Sequence, residues 1–171
     1  MHLVSPKRVF KGNKAFKEAL PEISKLTKSP LLVGRSKSTK FLRQQIIQDL
    51  NLYNSNVINE TLHFDCCEDD INRLLYIASK NHCDAVIAAG GGKVLDAGKI
   101  IAHYLSIPCI TVPLSASTCA GWTALGNIYS QQGQFIKDLN LNSCPDIFVF
   151  DYSFIKTAPT NTLTSGIADS L

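Results

Sequence analysis

Residues 85–99, AVIAAGGGKVLDAGK, constrain the fold of this chain more than any other stretch. Residues 85–89 are an apolar run without charge, the pattern of a short strand covered on both faces. Gly90, Gly91 and Gly92 follow at once, and then Val94, Leu95, Ala97, Gly98, Ile100, Ile101 and Leu105 recur at helical spacing. The stretch reads as a buried strand, a glycine turn and a helix. Glycine carries no Cβ, so the turn can be sharp and a ligand can approach its backbone closely. A helix opening there aims free N–H groups and its positive dipole end at the turn. The natural guest is a phosphate.

The spacing departs from both standard phosphate motifs. In the dinucleotide fingerprint begun at Gly90 the third glycine would fall at Leu95, and in the phosphate loop the first would fall at Ile87. What remains is a strand–GGG–helix junction with Lys93, Asp96 and Lys99 just inside the helix. The plainer alternative, that the glycines only permit a tight turn, stays open.

Around this junction the chain alternates strands and helices. A short strand is expected at 8–10 and a helix at 15–26, where Pro21 either starts or kinks the helix. A strand at 31–33 is closed by Gly34, and Ser38 is the expected cap of a helix through Leu50. A weak strand region covers 54–64, and a helix with an acidic start covers 68–81. With a helix expected at 94–105 and a strand at 109–112, the glycine unit becomes a βαβ crossover, which implies a parallel sheet. The loop 113–121, PLSASTCAG, then leaves the carboxyl end of a parallel strand, where open α/β sheets bind ligands. Segments 127–130 and 134–136 flank Gln131-Gln132-Gly133 as a hairpin. A buried strand at 147–150 ends at Asp151, and 153–156 form a helical turn. A last helix opens at Pro159 or Thr160 and is still in an apolar pattern (GIADSL) at Leu171, so the expectation is an incomplete protein.

Composition narrows the partners. A net charge of +3 is small, and Lys7, Arg8, Lys11, Lys14 and Lys17 read as a solvated face, not a nucleic-acid surface. No apolar run approaches membrane-spanning length and no signal peptide opens the chain, so a soluble cytoplasmic protein is expected, with no membrane partner. The six cysteines form no CxxC pair and no zinc spacing, and they read as reduced thiols. Cys83 and Cys109 are expected in the core.

Three ordered stretches carry a family resemblance: GGGKVLDAGK at 90–99, VPLSASTCAGWTALGNIYS at 112–130, and SCPDIFVFDYSFIKTAPTNTLTSGIADSL at 143–171. Together they resemble the iron- or zinc-containing alcohol dehydrogenases, closest to the glycerol dehydrogenase branch. The resemblance implies an α/β class: a Rossmann-like, open, mostly parallel sheet with helices on both faces, the N-terminal domain of the dehydroquinate synthase-like fold. Residues 1–171 would be this nucleotide-binding domain, with about 160–171 the start of a helical metal-binding domain that the chain lacks. It implies NAD or NADP, a divalent zinc or iron ion, a small alcohol or polyol substrate, and a homo-oligomer.

The same resemblance implies site residues. Gly90, Gly91, Gly92 and Lys93 match the pyrophosphate turn, and Asp96 lies near the nicotinamide side. Leu114 stands where many members have a threonine close to the cofactor, Ser117 matches a serine that contacts it, and Thr123, Leu125 and Tyr129 fall at positions that line the nicotinamide pocket. Asp169 matches the first metal ligand, while His2, His63, His82 and His103 match none of the others, so the catalytic site is incomplete in this chain. Local alternatives stand beside these roles. Asp96 can serve as a first-turn acid on the helix dipole, Ser117 as a turn residue, Tyr129 as packing, and Asp169 as an exposed helix residue. Cys119 stands where glycerol dehydrogenases place a polyol-contacting aspartate, which puts glycerol in doubt, and Trp122 adds bulk to that loop. Arg35 stands where NAD-preferring members place an acid, and it can pair with a 2′-phosphate. Two readings remain beside the dehydrogenase: a dehydroquinate or cyclitol synthase relative, disfavoured by the absence of basic residues at 113–123, and an isolated nucleotide-binding domain.

Overall fold

The computed structural model describes residues 5–158 and Thr164. In chain order the elements are β1 (Arg8–Gly12), α1 (Ala15–Leu26), β2 (Pro30–Gly34), a 3₁₀ turn (Lys37–Thr39), α2 (Lys40–Asn51), β3 (Ile58–Thr61), α3 (Glu68–Lys80), β4 (Ala85–Gly90), α4 (Gly92–Leu105), β5 (Cys109–Pro113), β6 (Leu125–Tyr129), β7 (Phe135–Asn140), β8 (Ile147–Asp151) and α5 (Tyr152–Ile155). Six strands form one sheet in the order β1-β8-β5-β4-β2-β3, and every pairing in it is parallel. The strands β6 and β7 form a separate antiparallel hairpin.

The period-2 alternation of the strands sorts the core onto two faces. Leu32, Ile87, Ile110 and Val149 pack with α1 and α2, while Leu31, Val33, Val86 and Cys109 pack with α3, α4 and the hairpin residue Ile128. Close contact at the centre depends on Gly98, where a Cβ would lie 2.4 Å from the Ala88 Cβ. Pro21 sits inside a continuous α1, whose buried face of Phe16, Ala19, Leu20 and Ile23 holds the helix across the missing N–H. The start of α1 is capped from far away. Asp151, at the end of β8, accepts from the Lys14 and Phe16 backbone N–H groups at 3.2 and 3.0 Å.

Three expectations are corrected here. Ser38 does not cap α2: Ser36 caps the 3₁₀ turn by accepting from the Ser38 N–H, and α2 begins at Lys40. The helix after the glycines begins at Gly92, not Val94. Cys83 is half-buried, although Cys109 lies in the core as expected; Cys66, Cys67, Cys83, Cys109 and Cys119 are free thiols. The basic residues at 7, 8, 11, 14 and 17 are exposed, as a solvated face should be. Among the described residues no helix is long and apolar enough to cross a membrane.

Candidate functional site

The sheet order creates a switch point. Strand β2 sends its crossover through α2 outward to β3, while its neighbour β4 sends α4 the other way to β5. The loops leaving their carboxyl ends therefore part and leave a crevice. A cleft of about 620 Å³ opens there, lined by Arg35, Ser38, Gly91, Lys93, Leu114 and Ser117 among others. A second chamber of about 360 Å³ shares Gly92, Lys93 and Ser117 with it. That chamber continues past Asp96, Cys119, Thr123, Leu125 and Tyr129. The fold thus brings all the cofactor residues named from the sequence, and Cys119, to the walls of two adjoining chambers. Asp169 lies outside the described residues.

The glycine turn works by lack of bulk, not by left-handed backbone. None of its three residues has a positive φ, and Gly91 is extended at φ −85° and ψ −177°. A Cβ on Gly90 would meet the Val94 side chain at 2.8 Å, and one on Gly92 would meet Thr118 Oγ1 at 3.2 Å. On Gly91 it would face the cleft, 3.7 Å from Ser115 Oγ. Gly91 is also the N-cap of α4 and makes no side-chain cap, so the first N–H groups of the helix look into the cleft.

The opposite wall is the loop after β2. Arg43 of α2 braces it, donating to Thr39 Oγ1 at 2.7 Å and to the Ser36 carbonyl at 3.1 Å, with its side chain packed where a Cβ on Gly34 would sit. Arg35 reaches across the mouth. Its guanidinium lies 2.6 Å from one oxygen of Asp65, whose other oxygen lies 2.6 Å from Lys93 Nζ. Lys93 also sits over the Tyr129 ring, 4.5 Å from its centroid. Arg35 therefore stands at the cleft with its charge already paired.

Asp96 is not a first-turn acid, because α4 begins four residues earlier, and it is 4% exposed. Its carboxylate pairs with the equally buried Lys99 at 3.0 Å. Burial pushes its pKa up, against the lowering effects of Lys99 and the Asn127 N–H. Lys99 donates as well to the Thr123 carbonyl at 3.2 Å, to Thr123 Oγ1 at 3.3 Å and to the Leu125 carbonyl. The Asp96–Lys99 pair thus pins the start of β6 to α4. Close packing of Gly126 on Ile100, where a Cβ would lie at 2.7 Å, completes that contact.

In the loop after β5, Leu114 donates its N–H to the Gly90 carbonyl at 3.0 Å, and Ser117 Oγ lies 3.1 Å from Ser115 Oγ. Cys119 is exposed in the second chamber. Trp122, in the same loop, packs its ring edge-on against Phe148, with centroids 5.3 Å apart. Asp65 is the residue that sequence reading missed. Its only local signal is an acid just beyond the end of β3.

A dinucleotide fits this architecture: bare glycine backbone, a helix N-terminus and lysine at one end, and a chamber of mixed polarity at the other. A metal ion finds no such fit, since no group of three His, Cys, Asp or Glu side chains among the described residues could hold one. Glycerol dehydrogenase from Citrobacter freundii is 33% identical over 132 residues, covering 77% of this chain and 36% of that protein. The glycerol dehydrogenase structure from Schizosaccharomyces pombe matches 99% of this chain and 43% of its own, with a TM-score of 0.87 at 26% identity. A probable glycerol dehydrogenase from Sinorhizobium meliloti 1021 shares the fold, with a TM-score of 0.87 at 24% identity over 100% of this chain and 47% of its own. The chain spans less than half the length of these relatives. The sequence model of the iron-containing alcohol dehydrogenases matches residues 6–152, from before β1 through the end of β8. On that match, the chain belongs to the iron-containing alcohol dehydrogenase family.

Proposed function

We propose that this chain is the nicotinamide-dinucleotide-binding part of an oxidoreductase acting on a small alcohol or polyol. The observation that carries the reading is the switch-point cleft, with Gly91 and the first N–H groups of α4 open to it beside Lys93. The pyrophosphate would lie on the glycine turn, where helix N–H groups and Lys93 supply donors and positive charge. The nicotinamide end would lie in the second chamber, between Leu125, Tyr129 and Thr123. When bound, the nicotinamide ring accepts or gives the hydride. The chain's own task is then to orient that ring and to keep water from its buried face. Names of relatives support the substrate class: glycerol dehydrogenase, and glycolaldehyde reductase from Halobacterium salinarum, 36% identical over 104 residues. The loop 113–123 carries no basic residue, which weighs against a phosphorylated substrate. The zinc or iron ion of the resemblance would meet this chain at Asp169.

Gly91→Ala tests the reading. Its backbone angles suit any residue, and the added methyl meets only Ser115 Oγ at an ordinary distance, so the fold is spared while the turn is filled. NADH binding, followed by nicotinamide fluorescence, should weaken by about tenfold or more, equivalent to about 1.4 kcal/mol, with the melting temperature unchanged. Failure of the parent chain to bind either NADH or NADPH would sink the proposal.

A further inference from the structure

We propose that Asp65 determines how this cleft discriminates between NAD(H) and NADP(H), by neutralising the cations on which phosphate groups would otherwise settle; the proposal rests on the dinucleotide reading above. One carboxylate serves both walls of the cleft: Oδ1 is 2.6 Å from Arg35 Nη1, and Oδ2 is 2.6 Å from Lys93 Nζ. The carboxylate is buried, with a side-chain exposure of 7%, whereas Arg35 and Lys93 are 43% and 36% exposed. The cations reach solvent and a ligand; the acid stays behind them.

Its position is built, not incidental. Asp65 lies beneath the tip of the hairpin, where a Cβ on Gly133 would fall 3.1 Å from Oδ2. The hairpin is tied to the same segment by the Tyr129 N–H, which donates to the Cys66 carbonyl at 2.8 Å. The Asp65 carbonyl accepts from the Cys67 N–H at 2.8 Å, just ahead of α3. Lys93 is held from the other side by the Tyr129 ring.

The electrostatic consequence differs for the two cofactors. Every phosphate brought to this cleft meets two cations offset by one buried anion. The pyrophosphate has the N–H groups of α4 as further donors, so it binds in spite of Asp65. A 2′-phosphate beside Arg35 would have as its cation a guanidinium already paired with Asp65. Asp65 thereby mutes the phosphate affinity that Arg35 alone would confer and tilts the cleft toward NAD(H). It is a positioning and specificity residue, acting through Arg35 and Lys93.

The test is a double-mutant cycle on the 171-residue chain, titrating NADH and NADPH into the parent, Asp65→Asn, Arg35→Gln and the double variant. Asp65→Asn should raise NADPH affinity relative to NADH by about tenfold, the effect of freeing the Arg35 guanidinium for a charge-assisted bond to the 2′-phosphate. That gain should fall below about twofold when Arg35 is already glutamine, because the carboxylate acts through the arginine. Arg35→Gln alone should weaken NADPH by less than about threefold, since the lost charge was paired. Should Asp65→Asn fail to fold, Asp65→Glu, which keeps the charge, should keep the parent's ratio, and the Arg35→Gln measurement still decides. An unchanged NADPH/NADH ratio in Asp65→Asn, an equal shift with and without Arg35, or a loss of NADPH affinity beyond about tenfold in Arg35→Gln would overturn the proposal while leaving the cleft a dinucleotide site. A parent chain that binds neither cofactor overturns both.

Discussion

Helix α4 presents two lysines to two aspartates, and the two pairs live in different media. Lys93 meets Asp65 at the mouth of the cleft, at 2.6 Å, with the lysine 36% exposed. Lys99 meets Asp96 two turns along, at 3.0 Å, with both side chains almost wholly buried. The mouth pair sits beside water, where charges are screened and a ligand's phosphate can compete for the lysine. The inner pair has no such competitor, and Lys99 is also held by oxygens of Thr123 and Leu125. One pair is exchangeable and faces the cleft, while the other is a brace that carries the hairpin. In the unliganded chain the Asp96 carboxylate is committed to Lys99, and it reaches the second chamber as part of a wall.

The sharpest break of this contrast is Lys99→Met. Removing one partner of a buried pair leaves a carboxylate and three oxygens without their donor, and the expected cost is about 3–5 kcal/mol. Urea unfolding followed by circular dichroism would measure it, and a loss below about 1 kcal/mol would show the pair to be solvated. The matching change at the mouth, Lys93→Met, should cost no more than about 1 kcal/mol of stability. It should instead weaken NADH binding by about tenfold, the value of one charge-assisted hydrogen bond to phosphate. The two variants thus exchange phenotypes: one loses the fold and the other loses the ligand. If Lys93→Met destabilised as much as Lys99→Met, the mouth pair would be a brace too.

Legibility in the sequence followed contact range. Strands and helices were readable because their signals lie within a dozen residues: the uncharged run before Gly90, the apolar spacing of α4, the Gln131-Gln132-Gly133 turn. The glycine turn was readable as a sharp strand-to-helix junction; none of its glycines has a positive φ, and they supply space against Val94, Thr118 and the open cleft. What escaped depends on the order of strands. Asp65 follows β3 and Lys93 follows β4, which are not neighbours; both flank β2, and only that arrangement brings their loops over one crevice. Asp151 caps a helix 135 residues away for the same reason, through the pairing of β1 with β8. The direction of Trp122 also escaped, because the loop that carries it turns onto β8, with Thr111 Oγ1 donating to the Gly121 carbonyl at 2.7 Å.

The smallest expected effect is a difference of sign with pH, and it separates a carboxylate held by burial from one held by hydrogen bonds. Burial raises Asp96 above the ordinary value near 3.8, with Lys99 and the Asn127 N–H opposing it. Burial also works against Asp84, but there hydrogen bonds from Thr27 and from the Lys28 and Ser29 N–H groups outweigh it and lower the pKa. Between 3.8 and the raised value the native protein keeps a proton on Asp96 that the unfolded chain has lost, so this residue's contribution to stability falls as pH rises through that window. For Asp84 the native protein has lost a proton that the unfolded chain keeps, so its contribution is complete above 3.8 and disappears as pH falls through the lowered value. The cost of Asp96→Asn should therefore be greatest in acid and shrink as pH rises, whereas the cost of Asp84→Asn should be greatest near neutrality and shrink in acid. Urea midpoints for both variants and the parent, taken from about pH 3 to about pH 7, would display the two slopes. Slopes of the same sign would mean that the Lys99 charge and the Asn127 N–H outweigh burial at Asp96, as hydrogen bonds do at Asp84.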